Sequence, residues 1–260
     1  MKHFYLTAAA VAAFIGLSQS GCATSSGSRP EIVSSYTSKP VVLDGKLDED
    51  AWMKTPAYFL LHSREQYASF HPEIRKEFRN GVIEPGKVRL LWDDKYLYIG
   101  FEFEDPDIVA EGTQDQKHQY LTGDVAEVFL KPLNKTCYWE FYVTPNGHKT
   151  AFFFLGRGLL GLPGGFPEKP ALSGMKVAAY CNGTLNNSWD KDKKWTAEMA
   201  IPREEVAKIG EKLNPETPWL IFFGRYNYGR YLPWKENSSY PQQEKMGYHI
   251  HEEYARLKMK

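Results

Sequence analysis

The stretch 88-VRLLWDDKYLYIGFEFED-105 decides the fold. Two runs rich in β-branched and aromatic residues flank the polar tripeptide Asp93-Asp94-Lys95, an arrangement typical of a β-hairpin. From Val41 to the end of the chain, apolar residues recur mostly at every second position, and helical patterns are weak. We therefore expect the chain to be built from strands.

Further short strands on both sides of this hairpin are bounded by turn-forming residues. They are predicted over residues 125–130, 138–143, 149–155, 176–180, 195–201 and 219–226. A short helix is predicted over 203–209 and another over 73–79, the latter within a polar insertion spanning 62–85. A loop rich in Gly and Pro covers 156–174, and a polar hairpin tip covers 186–194. This order favours an all-β fold, an antiparallel β-sandwich of the jelly-roll or immunoglobulin-like type with long loop insertions.

The composition excludes several functional classes. The 260 residues include 32 Lys and Arg against 32 Asp and Glu, so there is no basic excess for nucleic acid. A charged fraction of 25% excludes a polytopic membrane protein, and 42% hydrophobic residues exclude a disordered chain. The aromatic fraction of 15% is large enough to build a core and still supply a surface that stacks on a ligand.

The N-terminus has the features of a secretory signal peptide. A positive start is followed by an apolar run from Phe4 to Leu17, too short to span a membrane comfortably. Cys22 directly follows Gly21 and resembles the lipidated cysteine of bacterial lipoproteins, although Gln19 replaces the usual Leu. The alternative is ordinary cleavage near Ser20, which leaves Cys22 as a free thiol.

These features divide the chain into a lipoprotein signal peptide over 1–21, a flexible tether over 22–40 and one β-sandwich domain over 41–260. The expected location is the cell envelope, in the periplasm or on the outer-membrane surface. With Cys22 lipidated, Cys137 and Cys181 are an even pair in an oxidising compartment. They form either a disulfide or two independent buried thiols.

Five segments form an ordered set of motifs: VLDGKLDEDAW at 42–52, the hairpin at 88–98 with DPD at 105–107, DVAEVFL at 124–130, WTAEMAIP at 195–202 and YHIHEEYARLKM at 248–259. In this order they resemble the family 9 carbohydrate-binding modules of extracellular bacterial proteins. The resemblance implies a jelly-roll-like sandwich that binds saccharides, often with calcium ions that hold loops.

Glu127 is the strongest candidate for a sugar ligand. On its predicted strand it shares a face with Val125 and Phe129, so its carboxylate must be paired or functional. The resemblance implies that it hydrogen-bonds the sugar. The alternative is an ion pair with Arg225 or Arg230.

The family resemblance also implies a slot between two aromatic rings. Where the family has two Trp residues, this chain has Tyr120-Leu121 and Tyr248. Tyr stacks on a sugar with less area than Trp, and Leu would weaken the clamp. Trp234 is either a substitute platform or a Trp packed under its loop.

Two further residues are expected near the sugar. Tyr142 shares a strand face with Tyr138 and Glu140, at a place where the family often has a polar sugar ligand. Arg225 closes a late strand with Asn227, and its planar guanidinium matches adjacent hydroxyls. The other tryptophans in strand or helix patterns are expected in the core, namely Trp52, Trp92, Trp195 and Trp219.

A structural calcium ion is the only cofactor indicated. Asp105, Asp107 and Asp124 supply the hard oxygen ligands that calcium prefers, and Glu104 could join them. Asp-Pro-Asp is also an ordinary turn, which leaves that alternative open. His249 and His251 have the spacing of a zinc pair on a strand, but surface histidines are the favoured interpretation.

The leading hypothesis is non-catalytic binding of a polysaccharide or oligosaccharide by an exported, lipid-anchored domain that aids glycan capture or degradation. No catalytic residue is assigned, because no nucleophile elbow, HExxH motif or phosphate-binding glycine loop occurs in the sequence. One alternative is a glycoside hydrolase using Glu127, Glu140 or Glu198. Another is a structural or partner-binding subunit of an outer-membrane complex. The expected partners are a glycan, the membrane through the anchor, and envelope enzymes that degrade glycans.

Overall fold

The computed structural model describes residues 28–79, 81–157 and 170–260. Within them, the strands are β1 (Glu31–Tyr36), β2 (Tyr58–Phe59), β3 (Gly86–Trp92), β4 (Tyr96–Glu104), β5 (Val125–Pro132), β6 (Tyr138–Val143), β7 (Lys149–Phe154), β8 (Lys176–Asn182), β9 (Lys194–Pro202), β10 (Trp219–Asn227), β11 (Glu236–Tyr240) and β12 (Ala255–Met259). The helices are α1 (Asp50–Lys54), α2 (Arg64–Ser69), α3 (Pro72–Arg75) and α4 (Arg203–Ile209), with 3₁₀ turns at Gln119–Leu121 and His251–Glu253.

The strands form one nearly closed, barrel-like sandwich. Their order is β7-β6-β5-β10-β12-β1-β3-β4-β9-β8, with β11 paired to β10 and β2 to β3. The all-β prediction is confirmed, and the hairpin of β3 and β4 turns at Asp93-Asp94-Lys95 as predicted. The sheet is not purely antiparallel, because β1 runs parallel to both of its neighbours, β12 and β3.

Strand β1 corrects the predicted tether over 22–40 and moves the start of the domain to residue 31 or before. Glu31 pairs with Arg256 and Tyr36 with Trp92, so β1 joins the two halves of the sheet. Its serines are weak strand formers. Its backbone hydrogen bonds are made with strands more than 50 residues away in sequence.

The insertion over 62–85 holds two helices instead of one over 73–79. Ser63 caps α2 by accepting a hydrogen bond from the Gln66 N–H, and the ring of His71 accepts one from Glu73 at the start of α3. Pro72 separates the helices because it fits a first helical turn but not a helix interior. The predicted helix over 203–209 matches α4.

The core lies between the two halves of the sheet. Trp139, Trp195 and Trp219 are fully buried there, together with apolar residues from both halves. Trp52 is fully buried in a smaller cluster, and Trp92 is partly buried at the edge of the core. The predicted burial of the Trp residues is therefore confirmed, with Trp92 the least covered.

The segment at 42–52 is held by one buried acid of β9. Glu198 accepts hydrogen bonds from the backbone N–H groups of Asp44 and Gly45 at 3.0 and 2.9 Å, and from Trp52 Nε1 at 3.2 Å. Gly45 has φ +83°, and a Cβ there would lie 2.4 Å from the carbonyl carbon of Ala179. This part of the motif therefore serves the fold.

Cys137 and Cys181 are free thiols, so the disulfide alternative is wrong. Cys181 lies in β8 and Cys137 directly precedes β6, and these strands are near opposite ends of the sheet order. Burial raises the pKa of the Cys181 thiol to about 11.

Cys22 and most of the loop over 156–174 lie outside the described residues. Among those residues, no helix has the length and apolar character needed to cross a membrane.

Candidate functional site

The outer face of strands β7, β6, β5 and β10, opposite the core, carries most of the predicted sugar ligands. The register places Glu127 of β5 between Gly224 of β10 and Tyr142 of β6. Ala126 and Val128 point into the core, so the predicted alternation along β5 is confirmed. We call this surface the aromatic face; it is defined by Tyr120, Val125, Glu127, Phe129, Tyr138, Glu140, Tyr142, Phe152, Phe222, Tyr226 and Tyr248.

The predicted slot between Tyr120 and Tyr248 holds a third ring. Tyr226 stacks on Tyr120, with ring centroids 5.2 Å apart, and meets Tyr248 edge-on, also at 5.2 Å. Rings in direct contact leave no space for a sugar between them. Tyr120 is half-buried, so part of its ring reaches the surface.

Tyr248 is a buried member of the aromatic face, which corrects the expectation that it offers an open ring. Its side chain is 5% exposed, and its hydroxyl donates to the carbonyls of Arg225 and Ser238 at 2.8 and 3.0 Å. Gly224 makes room for this ring, because a Cβ there would lie 2.5 Å from it.

Glu127 lies at the centre of the aromatic face without a hydrogen-bond partner on Oε1 among the described residues. It is 2% exposed, and burial, with the neighbouring Glu140, raises its pKa well above the ordinary value. The predicted alternative, an ion pair with an arginine, is not observed: Arg225 pairs with Asp105, and the Arg230 guanidinium donates to the Asp190 carbonyl and the Tyr231 hydroxyl.

Glu140 is the second acid of the aromatic face and a diagonal neighbour of Glu127 across β5 and β6. The Tyr142 hydroxyl donates to its Oε2 at 2.8 Å, and His249 Nδ1 lies 3.3 Å from its Oε1. Burial raises its pKa to about 7. In its protonated form each of these carboxyls can both donate and accept a hydrogen bond.

Sequence reasoning missed three residues near these acids. Tyr226 lies two positions after Gly224 on β10, so strand alternation would place it on the face of Glu127 once the register is known. The Lys235 ammonium lies 4.8 Å from the centre of the Tyr226 ring and slightly lowers the pKa of Glu127. His249 comes from a turn, and no sequence signal links it to Glu140.

Arg225 points away from the aromatic face, which corrects its prediction as a sugar ligand. It is opposite Ala126 in the register and is therefore on the core side of the sheet. Its guanidinium is fully buried, lies 3.0 Å from Asp105 and donates to the Glu84 carbonyl at 2.9 Å. Asn227 joins this network by donating to Glu84 Oε2 at 2.7 Å.

Trp234 packs against the insertion, as the alternative interpretation predicted. Its indole stacks on Phe70, with centroids 4.7 Å apart and planes 17° apart. Phe70 in turn contacts His62 and Phe78. The structure therefore gives Trp234 a packing role and not that of an open platform.

The predicted calcium ligands do not fit an open metal site. Asp124 accepts the Tyr228 and Val109 N–H groups at 2.7 and 2.8 Å, while Asp107 accepts the Arg230 N–H at 2.7 Å. Asp105 is neutralised by the buried Arg225. No group of three or more His, Cys, Asp or Glu side chains in the described ranges could hold a metal ion. Calcium binding stays an untested prediction.

Stability is expected to decrease as the pH rises from about 4.5 to 7. Burial raises the pKa of Glu84, Glu140 and Glu198 from 4.5 to about 7. A carboxyl whose pKa is higher in the folded than in the unfolded state stabilises the fold fully at pH values below its unfolded-state pKa. This contribution is lost as the pH rises through its folded-state pKa. Between pH 4.5 and 7, we expect the free energy of unfolding to decrease by about 2 kcal/mol less in Glu140→Gln than in the wild type. Urea unfolding at several pH values measures this difference.

The control for this experiment is Glu102→Gln. The surface cations Lys87 and Lys194 pair with Glu102, and its pKa is lowered. An identical loss of stability between pH 4.5 and 7 in the wild type and in Glu140→Gln would contradict the assignment.

The comparisons with known proteins concern the family resemblance and the fold. The family model described as carbohydrate family 9 binding domain-like matches residues 43–153. A protein of Bacteroides uniformis ATCC 8492 with a proposed carbohydrate-binding role matches with a TM-score of 0.64 and 11% identity, covering 90% of this chain and 100% of its own. A search of curated proteins finds no significant match.

Two further solved structures are of a family 9 carbohydrate-binding module from Caldicellulosiruptor kristjanssonii. The complex with cellotriose has a TM-score of 0.52 and 17% identity, covering 88% of this chain and 93% of that one. The complex with glucose has a TM-score of 0.53 and 16% identity, covering 88% and 95%. At these identities the likeness concerns the fold. The family resemblance drawn from the sequence is confirmed.

Proposed function

Since the chain resembles the family 9 carbohydrate-binding modules in sequence and fold, we propose that its aromatic face binds a saccharide without chemical turnover. The observation that carries the proposal is Glu127, a buried acid that is surrounded by aromatic rings and has no hydrogen-bond partner on Oε1 among the described residues. A buried polar group without a partner costs free energy, and a ligand hydroxyl would recover it.

The chemistry of the aromatic face suits a sugar. Glu127 and Glu140 can each donate and accept hydrogen bonds when protonated, which matches hydroxyl groups. The half-buried Tyr120 and the exposed Leu121 provide apolar surface beside them. A pyranose has the same combination of hydroxyls and an apolar ring face.

The test is Glu127→Gln, an isosteric change that removes the carboxyl while keeping its volume. We expect binding of the best saccharide ligand to weaken about tenfold or more, because a hydrogen bond to this buried group is lost or mismatched. Calorimetric titration measures it, beginning with glucose and cellotriose and extending to a glycan array. Near-ultraviolet circular dichroism confirms the fold of each variant.

Glu102→Gln is the matched control, because Glu102 lies on β4 in the other half of the sheet and is partly exposed. It should bind like the wild type. Failure of the folded wild type to bind any saccharide would refute the proposal. An unchanged saccharide affinity in Glu127→Gln would show that the binding site lies outside the aromatic face.

A hydrolase is the second candidate, and the pair of neighbouring acids favours it. Glycosidases use two carboxyl groups, one with a raised pKa. Release of reducing sugar from a bound glycan, abolished in Glu140→Gln, would support catalysis. Absence of turnover on every glycan that binds would exclude it.

The proposal places the domain in the cell envelope, held by a lipid on Cys22 and capturing glycan for separate enzymes. The support for export and anchoring is the apolar run at 4–17 and the Gly21-Cys22 pair. A purely structural subunit is less well supported, because Tyr120, Glu127 and Tyr248 converge on one face through Tyr226.

A further inference from the structure

A cavity of about 500 Å³ lies where β5 and β7 end and β10 begins. Four cationic side chains line it: Arg29, Lys131, Lys135 and Arg157. Glu252 is the one acid among its described lining residues. The cavity is therefore strongly basic in a chain whose formal net charge is zero.

Two of these cations have partners that do not neutralise them. Arg29 donates to the carbonyls of His251, Glu252 and Tyr254. Lys131 donates to the carbonyls of Pro132 and Lys135. No carboxylate within 4 Å pairs with either cation in the described part of the chain.

The other two cations are each paired with a carboxylate. Arg157 binds Glu252 with two hydrogen bonds of 2.7 and 2.8 Å, and Lys135 lies 3.2 Å from Glu211. The unneutralised charge of the cavity therefore comes from Arg29 and Lys131.

His251 adds a polar group to this wall. It is 8% exposed, its Nε2 is buried without a hydrogen-bond partner among the described residues, and its ring meets Tyr138 and Tyr254 edge-on. Burial and the nearby Lys131 and Arg157 lower its pKa to about 4, so the ring is neutral at neutral pH and has one N–H to donate. Lys131 and Arg157 add a positive potential to the effect of burial, and that potential would also attract an anion.

The cavity continues the aromatic face. Lys131 lies four residues after Glu127 on β5, on the same side of the strand and about 13 Å away. Tyr138 bridges the two regions, since its ring contacts His251 and its hydroxyl lies 3.2 Å from His249 Nδ1. An oligosaccharide bound over Glu127 could reach the cavity with another of its residues.

We propose that the cavity binds the carboxylate or sulfate group of an acidic saccharide whose uncharged part rests on the aromatic face. This inference rests on the proposed function and specifies its ligand class. Arginine and lysine recognise such oxyanions by charge-assisted hydrogen bonds. Lys131, Arg29 and His251 are the groups that would contact the anion.

The experiment compares cellotriose with a sulfated cellotriose by calorimetric titration at low and high salt. We expect the sulfated form to bind about tenfold tighter or more, with an advantage that shrinks at high salt. Lys131→Met keeps the buried stem and should remove most of this advantage, measured as the ratio of the two affinities within the variant. Lys135→Gln, at a more exposed position, should reduce the advantage by a smaller factor and does not depend on a buried side chain for folding.

Lys54→Gln is the control, since Lys54 is an exposed cation of α1 outside the cavity, and it should behave like the wild type. Equal affinity for the two ligands in the wild type would overturn this inference and leave saccharide binding intact. No binding of any saccharide would overturn both. Binding to anionic vesicles that depends on Lys131, without a preference for the sulfated ligand, would assign the cavity to a membrane and overturn the saccharide assignment.

Discussion

Arg225→Met should lower the free energy of unfolding by about 3 to 5 kcal/mol. Arg225 is fully buried, and its guanidinium lies 3.0 Å from Asp105 and donates to Asn227 Oδ1 at 2.8 Å. Methionine would fill much of the space but would leave Asp105 as a buried carboxyl without its cation. The nearby buried Asp124 makes the loss worse, because Asp105 raises the pKa of Asp124 and the Arg225 cation counteracts that effect.

Urea denaturation at pH 7 measures the change. Arg230→Met is the control, because Arg230 is exposed and should change stability by less than about 0.5 kcal/mol. A loss below about 1 kcal/mol in Arg225→Met would contradict the buried network. If Arg225→Met has normal stability but binds saccharide more weakly, Arg225 would instead be a sugar ligand.

Trp52→Ala should cost about 3 to 5 kcal/mol of stability. The indole of Trp52 is fully buried in a cluster with Leu91, Tyr98 and Ala200. Its removal leaves a cavity and deprives Glu198 of the Nε1–H donor. Glu198 also holds the backbone at Gly45, so the whole segment at 42–52 would lose its anchor.

Two variants separate the causes of this loss. Trp52→Phe removes the hydrogen bond but keeps most of the volume, so it should cost clearly less than Trp52→Ala. Trp189→Ala is the matched control, because Trp189 is 93% exposed and its loss should be nearly neutral. Comparable unfolding free energies for Trp52→Ala and Trp189→Ala would refute a structural role for the motif.

Most strands could be predicted because their signals are local. In β6, Trp139, Phe141 and Val143 enter the core while Tyr138, Glu140 and Tyr142 face outward, as the alternation indicates. The turn at Asp93-Asp94-Lys95 fixed the main hairpin for the same reason. Strand β1 was missed because half of its six residues are polar and its partners are distant in sequence.

The site was predicted only in part, because a strand pattern assigns a face but not a neighbour. Alternation along β5 correctly separated Glu127 from the core. The pattern placed Arg225 near the same surface, whereas the pairing of β10 with β5 puts it opposite Ala126, on the core side. The contacts between Tyr226, Tyr120 and Tyr248 depend on that same register.

By itself, the sequence determined an all-β domain with the family 9 motifs and an outward-facing Glu127, because hydrophobic alternation and turn residues act over a few positions. Only the tertiary structure decided that Tyr226 fills the gap between Tyr120 and Tyr248, that Arg225 neutralises a buried acid, and that Arg29 meets Lys131 at one cavity. Strand register and chain closure bring together residues more than 200 positions apart, and burial in those places shifts their pKa values. Neither effect can be predicted from the local sequence pattern.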